Sequence, residues 1–160
     1  MAGVFLGLGS NIDAEKNLRL AVNELRCVYG DLTVSPVYRS TPVGFEGPDF
    51  LNLVVALETD VAPREVLDQI ERIHGLAGRS RGPDKFSSRP LDVDLLLHGD
   101  TVDPALRLPR SDIFEYGFVL RPLADIAPDL VHPLTGRTIG EHWREFDGAR
   151  HPLTPVDVIL

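Results

Sequence analysis

Cysteine, long apolar runs and net positive charge are all scarce in this sequence, and each scarcity excludes a class of protein. The 160 residues contain one cysteine, Cys27, so a disulfide framework or a cysteine zinc site cannot form and a reducing, cytoplasmic setting is favoured. No apolar run approaches the roughly 18 residues of a membrane span, and the N-terminus lacks the basic segment of a signal peptide. The formal net charge of -8 opposes non-specific binding to nucleic acid or to an anionic membrane. The remaining composition, 43% hydrophobic and 25% charged, is that of a soluble globular protein.

The positive charge that is present is concentrated in one stretch, residues 72–89. Asp84 is its single acidic residue, against the cations Arg72, Arg79, Arg81, Lys85 and Arg89. A basic island on an otherwise acidic chain suggests that a small polyanion binds locally. The alternative is a solvated helix end followed by its loop.

Hydrophobic periodicity predicts four strands and two helices in the order β-α-β-β-α-β. The strands are expected near residues 4–8, 32–38, 50–59 and 91–97, and the helices near 15–29 and 62–77. Pro36 places the second strand at a sheet edge or gives it a bulge. This order is the signature of an α+β, ferredoxin-like sandwich, a mainly antiparallel sheet with helices packed on it.

The last third of the chain predicts a C-terminal extension to this sandwich. Two further helices are expected at 118–126 and 139–143, and the tail from about residue 150 is expected to be irregular. Since no repeat, linker or low-complexity tract divides the chain, residues 1–160 are predicted to form a single domain.

Two aspartates on the fourth predicted strand are the first candidates for chemistry. Asp92 and Asp94 are two residues apart, so both carboxylates lie on one face of the sheet, and Val93 and Leu95 point the other way. Two like charges on an apolar strand need positive compensation. Arg89 with the basic island could supply it, or Mg²⁺, which binds one or two carboxylates together with substrate phosphates. The alternative is an acidic pair at an exposed strand edge that is bridged to arginines.

The acidic pair and the basic island together predict binding of a nucleoside triphosphate. Arginine guanidinium groups can make paired hydrogen bonds to phosphate oxygens, while aspartates hold the metal ions that bridge those oxygens. The N-terminal sequence Gly7-Leu8-Gly9-Ser10 is not a P-loop, because it lacks the lysine and the length of that motif.

The segment FSSRPLDVDLLL, residues 86–97, resembles the signature of the 6-hydroxymethyl-7,8-dihydropterin pyrophosphokinase family. Members of that family transfer a pyrophosphoryl group from ATP to a pterin alcohol in folate biosynthesis. Further matches, in the family's order, extend from residue 4 to about 133: GSN at 9–11, YRSTP at 38–42, FLN at 50–52, GRSR at 78–81 and GFVL at 117–120.

The resemblance implies a role for each matching residue. The pterin would be sandwiched between Phe50 and Phe118, which without the resemblance would be read as core aromatics. Asn52 would make hydrogen bonds to the edge of the pterin, and the other pterin-binding residues would be Ser40, Thr41, Pro42, Val43 and Asp92. Two Mg²⁺ ions would bind Asp92 and Asp94, which with Arg79 and Arg89 form the catalytic set. The ATP contacts would be Arg79, Arg81, Lys85, Phe86, Arg89, Leu95 and Arg110.

Three positions depart from the pattern of the family. His74 stands where many members have an acid, Arg110 where a histidine is usual, and Tyr116 where an arginine is usual. His74 is read as a solvated helix-end residue and Cys27 as a core residue, while Arg110 is a candidate to replace the displaced charge.

The sequence leaves two alternatives to the enzyme open. The departures would suit a non-catalytic paralogue that binds pterin or nucleotide. The β-α-β-β-α-β order also builds RNA-binding RRM modules, although the acidic charge and the missing aromatic-rich strand motifs oppose that reading. The expected partners are ATP and the pterin, with no nucleic acid and no membrane, and the protein is expected to be a monomer.

Overall fold

The computed structural model describes residues 1–78 and 89–160. Its strands are β1 (Ala2–Ser10), β2 (Thr33–Val34), β3 (Val37–Ser40), β4 (Phe50–Thr59), β5 (Asp92–His98) and β6 (Thr154–Val156). Its helices are α1 (Ala14–Tyr29), α2 (Pro63–Leu76), α3 (Asp112–Glu115), α4 (Gly117–Ile126) and α5 (Ile139–Glu145). Short 3₁₀ turns lie at Pro104–Leu106 and Gly148–Arg150. In these parts of the chain no helix is long and apolar enough to cross a membrane.

The strands form one sheet in the order β5-β1-β4-β3-β6, with β2 also paired to β4. All of the pairings among the described strands are antiparallel. The first four strands of that order give the split β-α-β arrangement of a ferredoxin-like sandwich, in which β4 lies between β1 and β3. The predicted fold class is therefore confirmed.

Two details of the predicted elements differ in the structure. The stretch 32–38 is interrupted, because Pro36 has no N–H to donate and the Ser35 hydroxyl accepts from the Val54 N–H at 2.8 Å in place of a ladder partner. The tail is not entirely irregular, since β6 extends the sheet beyond β3.

The two faces of the sheet support separate cores. On the first face, alternate residues of β1, β4 and β5 pack against α1 and α2, and Leu6, Leu53 and Leu95 are buried there. On the second face, Val54 and Leu96 pack against α3, α4 and α5. Because strand side chains alternate, the residues between those of the first core all point to the second face. That face is where the candidate site lies.

Two side chains are placed differently from expectation. Cys27 is exposed, because the buried stripe of α1 consists of Leu18, Ala21, Val22 and Leu25 and position 27 falls outside it. His74, expected in solvent, is only 5% exposed near the end of α2, next to β5.

Candidate active site

A cleft opens on the second face of the sheet, between the strands and the segment that carries α3 and α4. Residues of β1, β3, β4, β5 and α4 line it, including Phe50, Asn52, Asp92, Asp94 and Phe118. The structure therefore brings together the aromatic, amide and acidic residues that were predicted separately.

Two glycines of β1 form the floor of this cleft. Gly9 pairs with Asn52 on one side and with Asp92 on the other, and Gly7 pairs in the same way with Val54 and Asp94. Since neighbouring strands lie about 4.8 Å apart, the backbones of Asn52 and of the acidic pair are separated by roughly 10 Å across β1. A Cβ at Gly9 would lie 2.9 Å from Asn52 Oδ1, so glycine is required for the amide to occupy its place.

Asn52 belongs to a polar and aromatic end of the cleft. Its Nδ2 donates to Ser40 Oγ at 2.8 Å, and both side chains are buried. Ser40 pairs with Phe50 across β3 and β4, and the Phe50 ring meets Phe45 edge-on at 6.2 Å. From the segment 40–43 expected to contact the pterin, residues 40, 41 and 43 line the cleft, whereas Pro42 does not.

Phe118, at the start of α4, also lines the cleft. The helix packs on β4 and β3. The Tyr38 hydroxyl of β3 donates a short hydrogen bond to the Asp125 carboxylate of α4, and the Arg121 guanidinium lies 4.6 Å above the Tyr38 ring. Burial, together with the hydrogen bond to Asp125, raises the pKa of Tyr38, so it stays a neutral donor at physiological pH. These contacts set the position of α4 and therefore that of Phe118.

The acidic end of the cleft contains two carboxylates and two arginines. Asp92 and Asp94 are each partly exposed, at 29% and 28% of their side chains. Arg89 Nη1 lies 3.5 Å from Asp92 Oδ1, and Arg110 Nη2 lies 3.5 Å from Asp94 Oδ1. Each aspartate thus has an arginine beside it, as the charge argument required.

Arg110 also contacts Asp112, a cleft residue that the sequence reasoning missed. Its Nε lies 3.2 Å from Asp112 Oδ2, an ion pair without hydrogen-bond alignment. Burial alone would lower the pKa of Arg110, but Asp94 and Asp112 outweigh that effect and raise it. Arg110 is therefore a permanent cation within the cleft. No sequence pattern singled out Asp112, whose role depends on the placement of Arg110.

Two buried polar side chains hold the acidic end in place. His74 Nε2 accepts the Val93 N–H at 2.9 Å, which ties the end of α2 to β5 between the two aspartates. Asn11 Oδ1 accepts the Arg89 N–H at 2.7 Å, while its Nδ2 donates to the Pro48 carbonyl at 3.1 Å. Asn11 therefore joins Arg89 to the loop beside the aromatic end.

Among the described residues, one expected ATP contact, Leu95, is not in the cleft. The Leu95 side chain packs in the core on the first face, because the strand alternation turns it away from Asp94. Arg79, Arg81, Lys85 and Phe86 lie outside the described residues.

Comparison with known proteins gives the family. Residues 5–128 match 7,8-dihydro-6-hydroxymethylpterin-pyrophosphokinase (HPPK). The chain is 41% identical over 142 residues to the 2-amino-4-hydroxy-6-hydroxymethyldihydropteridine pyrophosphokinase of Porphyromonas gingivalis, covering 83% of this chain and 95% of the relative. It is 38% identical over 148 residues to the enzyme of that name from Pseudomonas aeruginosa, covering 86% and 88%. The chain therefore belongs to the HPPK family of ATP-dependent pyrophosphokinases.

Solved structures support the fold. The Plasmodium falciparum HPPK-DHPS structure with pterin and p-hydroxybenzoate superposes with a TM-score of 0.73 at 16% identity over 90% of this chain. The chain spans 43% of that longer protein.

Proposed function

We propose that the cleft binds ATP and 6-hydroxymethyl-7,8-dihydropterin and transfers the β,γ-pyrophosphoryl group to the pterin alcohol in folate biosynthesis. The observation that carries this assignment is one continuous cleft with an aromatic and amide end at Phe50, Asn52 and Phe118, and an acidic end at Asp92 and Asp94. A flat bicyclic ring fits the first end, and the phosphates of a nucleotide fit the second.

At the aromatic end, Phe50 and Phe118 stack on the pterin ring. The Asn52 amide and the backbone of residues 40–43 make hydrogen bonds to its edge. Because Asn52 Nδ2 is already used by Ser40 Oγ, the orientation of the amide is set before substrate binds. The hydroxymethyl group then points along the glycine floor toward Asp92.

The acidic end has the donors that Mg²⁺ prefers. Asp92 and Asp94 present carboxylate oxygens on one face, and among residues 1–78 and 89–160 they do not join a third His, Cys, Asp or Glu in a metal-binding cluster. This suits a cation that completes its shell with water and phosphate oxygens. We assign two Mg²⁺ ions to this pair; when bound, they offset charge on the phosphates and orient them.

The arginines complete the nucleotide site. Arg89 and Arg110 lie against the acidic pair at 3.5 Å, longer than the roughly 2.8 Å of a strong charged hydrogen bond. Their guanidinium groups would be within reach of the phosphate oxygens of a nucleotide bound at this end of the cleft. Arg79, Arg81, Lys85 and Phe86 are proposed as further ATP contacts on the family motif alone.

The reaction exchanges one phosphorus–oxygen bond for another and releases a proton. The hydroxymethyl oxygen attacks the β-phosphorus and its hydroxyl proton is lost to solvent, while the bond from that phosphorus to the α,β-bridging oxygen breaks and AMP leaves with that oxygen. The protein supplies alignment through the stacked and hydrogen-bonded pterin, and it stabilises charge through Arg89 and Arg110. We further propose that residues 1–160 act as a single domain, since both cores share one sheet. We also propose that the protein is a monomer and that it acts in the cytoplasm, where the lone cysteine suits the reducing conditions.

The test is formation of AMP from ATP and the pterin by the purified full chain. AMP should appear with Mg²⁺, stop with EDTA, and be absent when the pterin carries a 6-methyl group in place of the alcohol. Binding of the pterin without any AMP formation would instead indicate a non-catalytic pterin-binding protein.

A further inference from the structure

Tyr116 and Phe118 form a stacked pair on the wall of the cleft. Their ring centroids are 4.9 Å apart and their planes are inclined by 18°. Tyr116 directly precedes α4 and Phe118 is its second residue, so the first turn of the helix sets both rings. Because Tyr116 covers one face of Phe118, the other face is the one left to stack on a flat ligand.

The C-terminal segment, residues 146–160, closes on this same turn. His151 lies edge-on to Tyr116, with centroids 5.9 Å apart and planes at 80°, and Phe146 lies 6.1 Å from His151. A Cβ at Gly117 would lie 3.2 Å from Phe146 Cε1 and 3.4 Å from His151 Cβ. The absence of a side chain at Gly117 therefore lets the segment approach the stacked pair.

The far end of the C-terminal segment is anchored on the opposite side of the sheet. The strand β6 pairs with β3, and Val156, Val158 and Leu160 pack on the first core. Arg19 and Arg26 of α1 donate to the backbone carbonyls of Ile159 and Leu160 at 3.2 and 3.0 Å. Since the segment is held at both ends, His151 has a defined position against Tyr116.

We propose that Tyr116 is a positioning residue for the pterin: it holds the Phe118 ring in the orientation that stacks on the substrate, and the C-terminal segment holds Tyr116 through His151. This rests on the proposed function, because it takes Phe118 as a pterin contact. It extends that function to residues 146–160, which lie C-terminal to residues 5–128, the range that the HPPK family model covers.

The experiment measures kcat, the KM of each substrate and the Tm for Tyr116→Leu, with Tyr116→Phe as its matched control. Loss of the aromatic pair in Tyr116→Leu should raise the pterin KM roughly 3- to 10-fold. The KM of ATP and kcat should stay within about twofold, as for a loss of uniform binding. Tyr116→Phe, which keeps the ring, should restore the wild-type pterin KM. His151→Ala should raise it by less, with His151→Phe as its control.

The outcomes distinguish failure of the proposed function from failure of the inference about Tyr116. If wild type forms no AMP, the proposed function fails and this inference with it. If wild type is active and Tyr116→Leu keeps the normal pterin KM, only the inference is overturned. A rise in the ATP KM, or an equal loss in Tyr116→Phe, also overturns it, because Tyr116 would then act on the nucleotide or through its hydroxyl. Should Tyr116→Leu fail to fold, Gly117→Ala displaces Phe146 and His151 by a few tenths of an ångström and is expected to raise the pterin KM alone.

Discussion

Gly9→Ala tests whether the Asn52 amide recognises the substrate, without removing any polar group. The new Cβ would lie 2.9 Å from Asn52 Oδ1, closer than a methyl carbon and an oxygen approach each other. The amide is held by its 2.8 Å hydrogen bond to Ser40 Oγ, so it can move only by giving up that bond. The substitution therefore turns the amide away from the position in which it faces the cleft.

The expected magnitudes follow from that displacement. Losing one neutral hydrogen bond costs about 1 kcal/mol of the free energy of unfolding. Replacing a strand glycine by alanine returns about 0.5–1 kcal/mol by restricting the unfolded chain. The Tm should therefore change by no more than about 4 °C. A misplaced hydrogen-bonding partner should cost on the order of 1–3 kcal/mol of pterin binding, which is roughly a 5- to 150-fold rise in KM.

The assay is AMP formation with each substrate varied in turn, alongside thermal unfolding. Gly3→Ala is the matched control, because Gly3 lies on the same strand and face and its added Cβ would meet only Phe5 Cε2, at 3.9 Å. Gly3→Ala should retain both KM values, and Gly9→Ala should retain that of ATP. A folded Gly9→Ala protein with the wild-type pterin KM would refute the role of Asn52.

Three further predictions concern charged and buried polar groups. Asp92→Asn and Asp94→Asn should each lower kcat by about 10³-fold or more, because each weakens a metal ligand; near-normal AMP formation in either folded variant would contradict the metal assignment. His74→Leu should lower the free energy of unfolding in urea by roughly 1–3 kcal/mol, since it leaves a buried N–H of β5 without its acceptor, and His74→Gln should lose less. Burial lowers the pKa of His132, and the neighbouring His142 lowers it further. The unfolded chain therefore binds a proton at this histidine more readily than the folded protein does, so the Tm should fall from pH 7 to pH 5. His132→Asn should reduce this pH dependence of the Tm, and an unchanged pH dependence would exclude His132 as its source.

Much of the fold was predictable because each central element carries its own local pattern. The alternation in β5 and the 3.6-residue stripe of α1 depend on residues close together in the sequence. That stripe also excludes Cys27 from the core, so its exposure could have been predicted from helix phase alone. The strand β6 could not, because Thr154–Val156 has no alternation and pairs only because the edge of β3 is available.

The candidate site likewise has features that the sequence predicts and features that it does not. Asp92 and Asp94 lie on one face of the sheet because strand side chains alternate with a period of two. The observed register agrees with this prediction, since both aspartates pair with glycines of β1 and one of these glycines pairs with Asn52 on its other side. The burial of His74 was not predictable, because it depends on α2 ending beside the N–H of Val93, 19 residues further along the chain. Sequence patterns report local geometry, and they do not report which helix end meets which strand.

The charges at the acidic end connect these observations with two of the three departures from the family pattern, Arg110 and Tyr116. Burying the cation Arg110 in the cleft is unfavourable on its own, and the structure offsets that cost with Asp94 and Asp112. Tyr116, at a position where an arginine is usual, contributes a ring that stacks on Phe118 instead of a charge. Arg110, just before α3, thus places a cation beside Asp94, and Tyr116, just after α3, supports the Phe118 ring. Under the proposed function, the two departures act together, Arg110 toward the phosphates and Tyr116 toward the pterin.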